Sequence, residues 1–358
     1  MKILTIVGAR PQFVKAAALS RELKQYSNID EVIVHTGQHF DKNMSDIFFD
    51  EMEIPKPKYN LAINSISHGA MTGRMLEEIE EIIIKETPDL TLVFGDANST
   101  LAGALAAKKL HVKIAHVEAG LRSFNIKMPE EVNRILTDRI SDYLFCPTEN
   151  AITNLNNEGY THEEFKIIKC GDVMQDAAYY YAKNSSEKST IISRLKVSEF
   201  ILCTLHRAEN TDNPKRLQEI IGALNKINKE ISIILPIHPR TKKKISDLNI
   251  ELNFKTIDPV GYFDMIELIK NSSLVITDSG GLQKEAYFFK KNCVTMRDQT
   301  EWVELIENKV NILVGANKKN IVAGVNEMLS RENDFNLNLY GNGNACKIIA
   351  ENLNNYNL

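Results

Sequence analysis

Short runs rich in β-branched residues alternate with helix-length segments along the whole 358-residue chain, and no other feature restricts the possible folds so much. In the first half the strand candidates are Ile3–Val7, Glu31–His35, Leu90–Phe94, Lys113–Val117, Tyr143–Phe145 and Lys166–Ile168. In the second they are Phe200–Thr204, Ser232–Leu235, Phe254–Thr256, Leu274–Ile276, Cys293–Met296 and Asn311–Val314. Helical periodicity fills the gaps at Gln12–Lys24, Gly69–Glu86, Ser99–Lys108 and Leu282–Phe289. Strands joined by a helical segment pair in parallel, with the helix crossing the sheet. The expected fold class is therefore α/β: two doubly wound parallel-sheet, Rossmann-like domains facing a cleft. Residues 1–170 form the first domain and 171–342 the second, with the boundary near Gly171 and a final helix over 343–358 returning to the first.

In such sheets ligands bind at the carboxyl ends of the strands. After the first strand come Gly8, Arg10 and then Lys15; after Phe94 come Gly95 and Asp96; after Val117 comes Glu118. After Thr204 come His206 and Arg207, and after Pro236 comes His238. After Ile276 the chain runs Thr-Asp-Ser279-Gly280-Gly281 straight into a helix. That turn leaves backbone N–H groups pointing at one spot, free of side chains, at the positive end of a helix dipole, so it suits a phosphate. Glu285, one turn further, suits the paired hydroxyls of a ribose.

Composition removes several function classes. Apolar residues make up 43% and charged ones 25%, with a formal net charge of −4 and no basic block, which argues against a nucleic-acid or membrane-surface partner. The five cysteines are scattered without metal-ligand spacing, so no metal is expected, and buried thiols in a reducing cytoplasm are. No apolar run approaches the roughly 20 residues of a membrane span, and Ile3–Val7 is too short for a signal-peptide core.

Gly8-Ala9-Arg10-Pro11 lacks the dinucleotide fingerprint, and His35-Thr36 replaces the acidic residue that would follow, which disfavours a nicotinamide cofactor; no cofactor is expected. Arg10 and Lys15 suit a diphosphate. Asp96, Glu118 and the Glu130-Glu131 pair suit proton transfer, against the simpler readings of helix cap and helix N-terminal charge. His206 and His238 follow equivalent strands and suit ligand contacts, whereas His116, inside its strand, suits packing. Trp302 and Phe124 suit either a sugar pocket or the core. Gly69–Glu86 carries Met71, Met75, Ile79 and Ile82–Ile84 on one side, a stripe that fits the core or a second subunit equally.

Taken in order, these motifs resemble the non-hydrolysing UDP-N-acetylglucosamine 2-epimerase family over nearly the whole chain. They are G-A-R-P at 8–11, H-T-G-Q-H at 35–39, G-D-A-N-S-T at 95–100, H-V-E-A-G-L-R at 116–122 and P-E-E-V-N-R at 129–134. H-R-A-E-N at 206–210, T-D-S-G-G-L-Q-K-E at 277–285 and M-R-D at 296–298 continue the series. The resemblance implies a glycosyltransferase-B type fold, with Asp96, Glu118, Glu130 and His206 at catalytic positions. It implies UDP and sugar contacts at Arg10, Lys15, Arg134, Ser279, Gly280, Gly281 and Glu285. Ala97 in place of Thr, a short loop between Arg122 and Pro129, Gln12, and Gln299-Thr-Glu-Trp302 resemble the branch acting on UDP-2,3-diacetamido-2,3-dideoxyglucuronic acid.

The activity so implied is reversible inversion at carbon 2 of a UDP-2-acetamido sugar, by loss and re-addition of UDP through a 2-acetamidoglucal, for surface-polysaccharide precursors. A hydrolysing 2-epimerase, a sugar transferase of the same fold and a non-catalytic UDP-sugar sensor are the rivals. The resemblance also implies a homodimer, and a second UDP-sugar as effector at Gln38, His39, Arg74, Arg207 and His238.

Overall fold

The computed structural model describes residues 1–37, 56–64, 66–161 and 165–355, with the Arg10 side chain outside that description. Two compact units emerge: Met1–Ala177 with Asn338–Leu358, and Ala178–Leu337.

In unit 1 the chain runs β1 (Lys2–Val7), α1 (Arg10–Leu23), β2 (Asp30–His35), β3 (Tyr59–Asn60), α2 (His68–Glu86), β4 (Leu90–Phe94) and α3 (Asn98–Lys109). It continues through β5 (Lys113–Val117), α4 (Pro129–Ile140), β6 (Tyr143–Cys146), α5 (Glu149–Asn157) and β7 (Lys166–Lys169). Helix α6 (Val173–Ala182) carries the chain out of unit 1 and into unit 2. Among the described residues the sheet has seven strands in the order β3-β2-β1-β4-β5-β6-β7, and every pairing is parallel. Strand β3 went unforeseen in the sequence; its two residues pair Val34 with Tyr59 and His35 with Asn60.

Unit 2 holds α7 (Ser185–Lys188), α8 (Ile191–Leu195), β8 (Phe200–Thr204), α9 (Ala208–Thr211), α10 (Pro214–Ile227), β9 (Ser232–Pro236) and α11 (Pro239–Asp247). Next come β10 (Lys255–Ile257), α12 (Tyr262–Asn271), β11 (Leu274–Thr277), α13 (Gly280–Phe288), β12 (Cys293–Thr295), α14 (Val303–Glu307), β13 (Asn311–Leu313) and α15 (Lys318–Ser330). Its six strands take the order β10-β9-β8-β11-β12-β13, again all parallel. The final helix α16 (Ala345–Asn354) belongs to unit 1 and packs on α1. Its entry is pinned by Asp172 N–H to Tyr340 O at 2.8 Å and Cys346 N–H to Asp176 Oδ2 at 2.7 Å.

The central strands of both sheets, such as β1, β4, β8 and β11, are buried on both faces and so apolar nearly along their length, whereas the edge strands β3, β7 and β10 are partly exposed. The α2 stripe is absorbed inside unit 1: Met71, Met75, Ile79, Ile82 and Ile83 join a core with Leu4, Ile6, Val93 and Ala104, while Ile84 stays exposed. In each sheet the strand order reverses beside the first strand, between β1 and β4 and between β8 and β11. Those two switch points are where a ligand is expected.

Candidate functional site

At the unit 1 switch point, β1 ends in Gly8 and β4 in Gly95-Asp96. Gly8 has no room for a side chain: a Cβ would collide with Thr36 and come within 2.9 Å of Ser99. Buried Gln12 fastens the two strand ends together. Its Oε1 accepts from Gly8 N–H (2.7 Å), Ala9 N–H (2.9 Å) and Ser99 Oγ (3.0 Å), and its Nε2 donates to Phe94 O (2.8 Å) and Thr100 Oγ1 (2.9 Å).

Over this floor lies a buried ion pair, with Lys15 Nζ donating to Glu118 Oε2. Glu118 adopts a left-handed backbone, φ +73°, which a non-glycine residue holds only where its surroundings enforce it. Its N–H and that of Ala119 both donate to Phe145 O at 3.1 Å. Asp96 is bound by Arg134 Nη2 at 2.7 Å, and its side chain keeps 37% of its surface exposed. Ala97, not Asp96, is the N-cap of α3, so the helix-cap reading of Asp96 gives way to an ion pair with α4.

The adjacent glutamates part company. Glu131 is buried and accepts from Ser123 N–H (2.9 Å), Ser123 Oγ (3.0 Å) and Phe124 N–H (2.7 Å), while Arg134 Nη1 also donates to it. Burial pushes its carboxyl up, but the Ser123 bonds, Arg134 and Phe124 N–H outweigh that and hold it below the ordinary 4.5. It anchors the loop before α4. Glu130 is half-buried, and its carboxylate has no hydrogen bond or ion pair among the described residues. Phe124 and Ile126 on that loop are 78% and 66% exposed.

At the unit 2 switch point a buried Asp278 plays the part Gln12 plays in unit 1. It accepts from His206 N–H (3.1 Å), Arg207 N–H (3.0 Å) and Asn210 Nδ2 (3.2 Å), tying the end of β8 to the end of β11. His206 Nδ1 stands 3.3 Å from Asp278 Oδ1. Partial burial, helped by Arg207 and opposed by Asp278, lowers the imidazole below its ordinary 6.5.

Ser279 caps α13, its N–H donating to Thr277 Oγ1 at 2.9 Å. The N–H groups of Gly280 and Gly281 donate to nothing among the described residues. Around Gly281 there is open space, whereas a Cβ on Gly280 would lie 2.5 Å from Glu301 Oε1 and 3.6 Å from Arg207 Nη2. Glu285 is buried on α13, and the helix is braced from behind by Lys284, whose Nζ lies 3.9 Å from the Trp302 ring centroid. Trp302 is therefore part of the packing behind the turn.

Of the other expected contacts, Arg74 on α2 is exposed, Arg207 half-buried and His238 exposed as the N-cap of α11, accepting from Arg240 N–H at 3.2 Å. Gln38 and His39 lie outside the described residues, as does the side chain of Arg10. Sequence reasoning missed Gln12 as a fastener, Asp278 as its counterpart, and Glu131 as a loop anchor. Only Glu131 left a signal, since neighbouring helical residues face about 100° apart and the two glutamates had to serve different surroundings.

A family model described as UDP-N-acetylglucosamine 2-epimerase matches residues 21–354. The chain is 56% identical to the UDP-2,3-diacetamido-2,3-dideoxy-D-glucuronate 2-epimerase of Pseudomonas aeruginosa, across 98% of this chain and 99% of that one. It is 46% identical to a UDP-N-acetylglucosamine 2-epimerase of Methanocaldococcus jannaschii, across 98% of each. A crystal structure of the M. jannaschii UDP-GlcNAc 2-epimerase in complex with UDP-GlcNAc and UDP superposes with a TM-score of 0.92 at 44% identity, covering 99% of each chain. The Neisseria meningitidis enzyme bound to UDP-GlcNAc gives 0.89 at 31% identity, also over 99% of each. The two-sheet α/β fold anticipated from the strand pattern is thus shared with solved epimerases, and this chain belongs to the UDP-N-acetylglucosamine 2-epimerase family.

Proposed function

We propose that this chain reversibly inverts carbon 2 of a UDP-2-acetamido sugar, and that UDP-2,3-diacetamido-2,3-dideoxyglucuronate is the preferred substrate over UDP-N-acetylglucosamine. The observation that carries the reading is the division between switch points: carboxylates with cationic partners in unit 1, unpaired glycine N–H groups at a helix start in unit 2. The 56% identity to the diacetamido-glucuronate enzyme, against 46% to an N-acetylglucosamine one, supports the finer choice.

The hydrogen on carbon 2 is not acidic, because that carbon carries an acetamido nitrogen and has no carbonyl beside it. Breaking the C1–O bond, with its electron pair leaving on UDP, builds positive charge next door. A carboxylate then takes the C2 proton to leave a 2-acetamidoglucal; protonation from the other face and re-addition of UDP give the epimer. Asp96, Glu118 and Glu130 serve the two faces, each worth about 10²–10⁴-fold as an acid–base group. Lys15 and Arg134 hold Glu118 and Asp96 ready, and with Arg10 they favour the anionic substrate. Ser279, Gly280 and Gly281 take the diphosphate and stabilise its charge as it departs. Glu285 takes the ribose hydroxyls, and His206 Nε2 accepts from a sugar hydroxyl.

A second UDP-sugar acts as effector through Arg74, Arg207 and His238, together with Gln38 and His39. It shifts the enzyme only by binding one state better than another, so its mark is sigmoidal initial rates that straighten in Arg74→Ala. The five buried free cysteines suit a reducing cytoplasm, and light scattering tests the homodimer this reading includes.

The reading is tested by incubating the enzyme with each of the two UDP-sugars and following products by NMR. Epimerised UDP-sugar without free sugar supports it. Free N-acetylmannosamine with stoichiometric UDP would make it a hydrolysing epimerase, and transfer to an acceptor a transferase. Faster turnover of UDP-N-acetylglucosamine would overturn the substrate choice.

A further inference from the structure

His116 on β5 has no exposed surface, and both of its ring nitrogens face acceptors. Nδ1 lies 2.7 Å from Asp138 Oδ1 and Nε2 2.8 Å from the carbonyl oxygen of Gly95. A backbone carbonyl only accepts, and so does an ionised carboxylate. Burial pushes the Asp138 carboxyl up, but His116 and Arg122 outweigh burial and hold it below the ordinary 3.8. In a dry interior an unmade bond to either partner is expensive, so both hold the ring in place.

We propose that His116 is a positioning residue that, engaged through both ring nitrogens with Asp138 and Gly95, locks Gly95-Asp96 and Glu118-Gly120 into one rigid frame for proton transfer. Both carboxylates hang from this frame. Gly95, at φ +62°, leaves a bare surface: a Cβ there would stand 3.1 Å from Glu118 Oε2 and 3.4 Å from Lys15 Nζ. The Lys15–Glu118 pair therefore rests on the residue whose carbonyl His116 holds, and Asp96 is the next residue along. On the other side, Asp138 Oδ2 accepts Gly120 N–H (3.1 Å) and Arg122 Nη1 (2.7 Å), which closes the left-handed turn at Glu118. The charged groups facing the ring are Asp138 from α4 and, beyond it, Arg122, whose guanidinium is forked on Glu158 at 2.6 and 2.7 Å.

The inference rests on the epimerase reading. With UDP-sugar, His116→Gln and Asp138→Asn should each lose about 10–100-fold in kcat, the scale of a small misplacement of reacting groups, with KM and UDP affinity unchanged. A loss confined to UDP affinity, or a normal kcat in both variants, would overturn the proposal. Absence of any epimerisation in the wild type would instead sink the epimerase reading.

Discussion

The two sheets share one strand order around their switch points, yet the chemistry placed there is opposite in kind. In unit 1 the strand ends carry side-chain ions: Lys15 on Glu118, Arg134 on Asp96 and Glu131, and Arg122 on Asp138. In unit 2 the open groups are backbone N–H groups, at Gly280 and Gly281, and the side chains of Asp278 and Thr277 fasten the turn. A doubly wound sheet supplies only a place where strand ends diverge. On the proposed function, the groups set there differ because the chemical demands differ. Proton transfer needs groups that change charge, whereas holding a diphosphate needs fixed dipoles that cost no reorganisation as charge develops.

The comparison breaks most sharply at Glu118. Glu118→Gln keeps the shape and removes the basicity, so kcat should fall by at least about 10²-fold while UDP affinity stays put. If UDP affinity collapsed as well, the two switch points would not be separable in function. The mirror experiment lies in unit 2. Gly281→Ala places its methyl in open space and should leave the melting temperature unchanged, yet weaken UDP binding by about 10–100-fold if phosphate approaches that backbone. Gly280→Ala meets Glu301 and should lower both. Calorimetric titration with UDP alongside thermal unfolding separates these outcomes, and unchanged UDP binding in Gly281→Ala would misplace the cradle.

Much of this arrangement was legible in the residues. Leu90–Phe94, Lys113–Val117 and Phe200–Thr204 stand at their expected bounds, because a strand buried on both faces writes a continuous apolar run. The Ser-Gly-Gly turn was legible for a local reason, as strand, turn and helix start lie within a dozen residues. Strand β3 was not, since Tyr59–Asn60 is two residues long and follows Pro55 and Pro57, with no apolar run to mark it. Nor were the pairings that organise the site: Asp96 meets Arg134 across 38 positions and Gln12 meets Phe94 across 82. Such contacts depend on how helices are laid over the sheet, which spacing along the chain does not encode. His116 shows the limit most clearly. Its place in a strand foretold burial, but the two groups that hold its ring come from the turn after a neighbouring strand and from a helix.

Gln12 sharpens the comparison at the level of stability. Gln12→Leu keeps the volume but leaves Gly8 N–H and Ala9 N–H buried without the acceptor they share, while Phe94 O keeps Thr100 Oγ1, so unfolding free energy should fall by about 1–3 kcal/mol. Urea denaturation measures it, and a neutral result would mean that the strand ends hold without their fastener. The smallest expected effect concerns acid. Glu131 and Asp138 both lie below their ordinary pKa values in the folded state, so their stabilisation is complete above 4.5 and is lost as pH falls through their folded values. Glu131→Gln should be less stable at neutral pH and show a shallower loss below 4.5, followed by circular dichroism. An acid profile identical in slope to the wild type would remove Glu131 as an anchor of the unit 1 loop.

The central claim, that unit 1 moves a proton at carbon 2 while unit 2 holds UDP, meets its most direct test in hydrogen exchange. The wild-type enzyme is incubated in D₂O with UDP-2,3-diacetamido-2,3-dideoxyglucuronate, and the C2 position of recovered UDP-sugar is followed by NMR. The account predicts deuterium at carbon 2 in step with formation of the epimer, and none in Glu118→Gln despite normal UDP binding. Epimer that retains its original C2 hydrogen, or tight UDP-sugar binding with no exchange in the wild type, would contradict it.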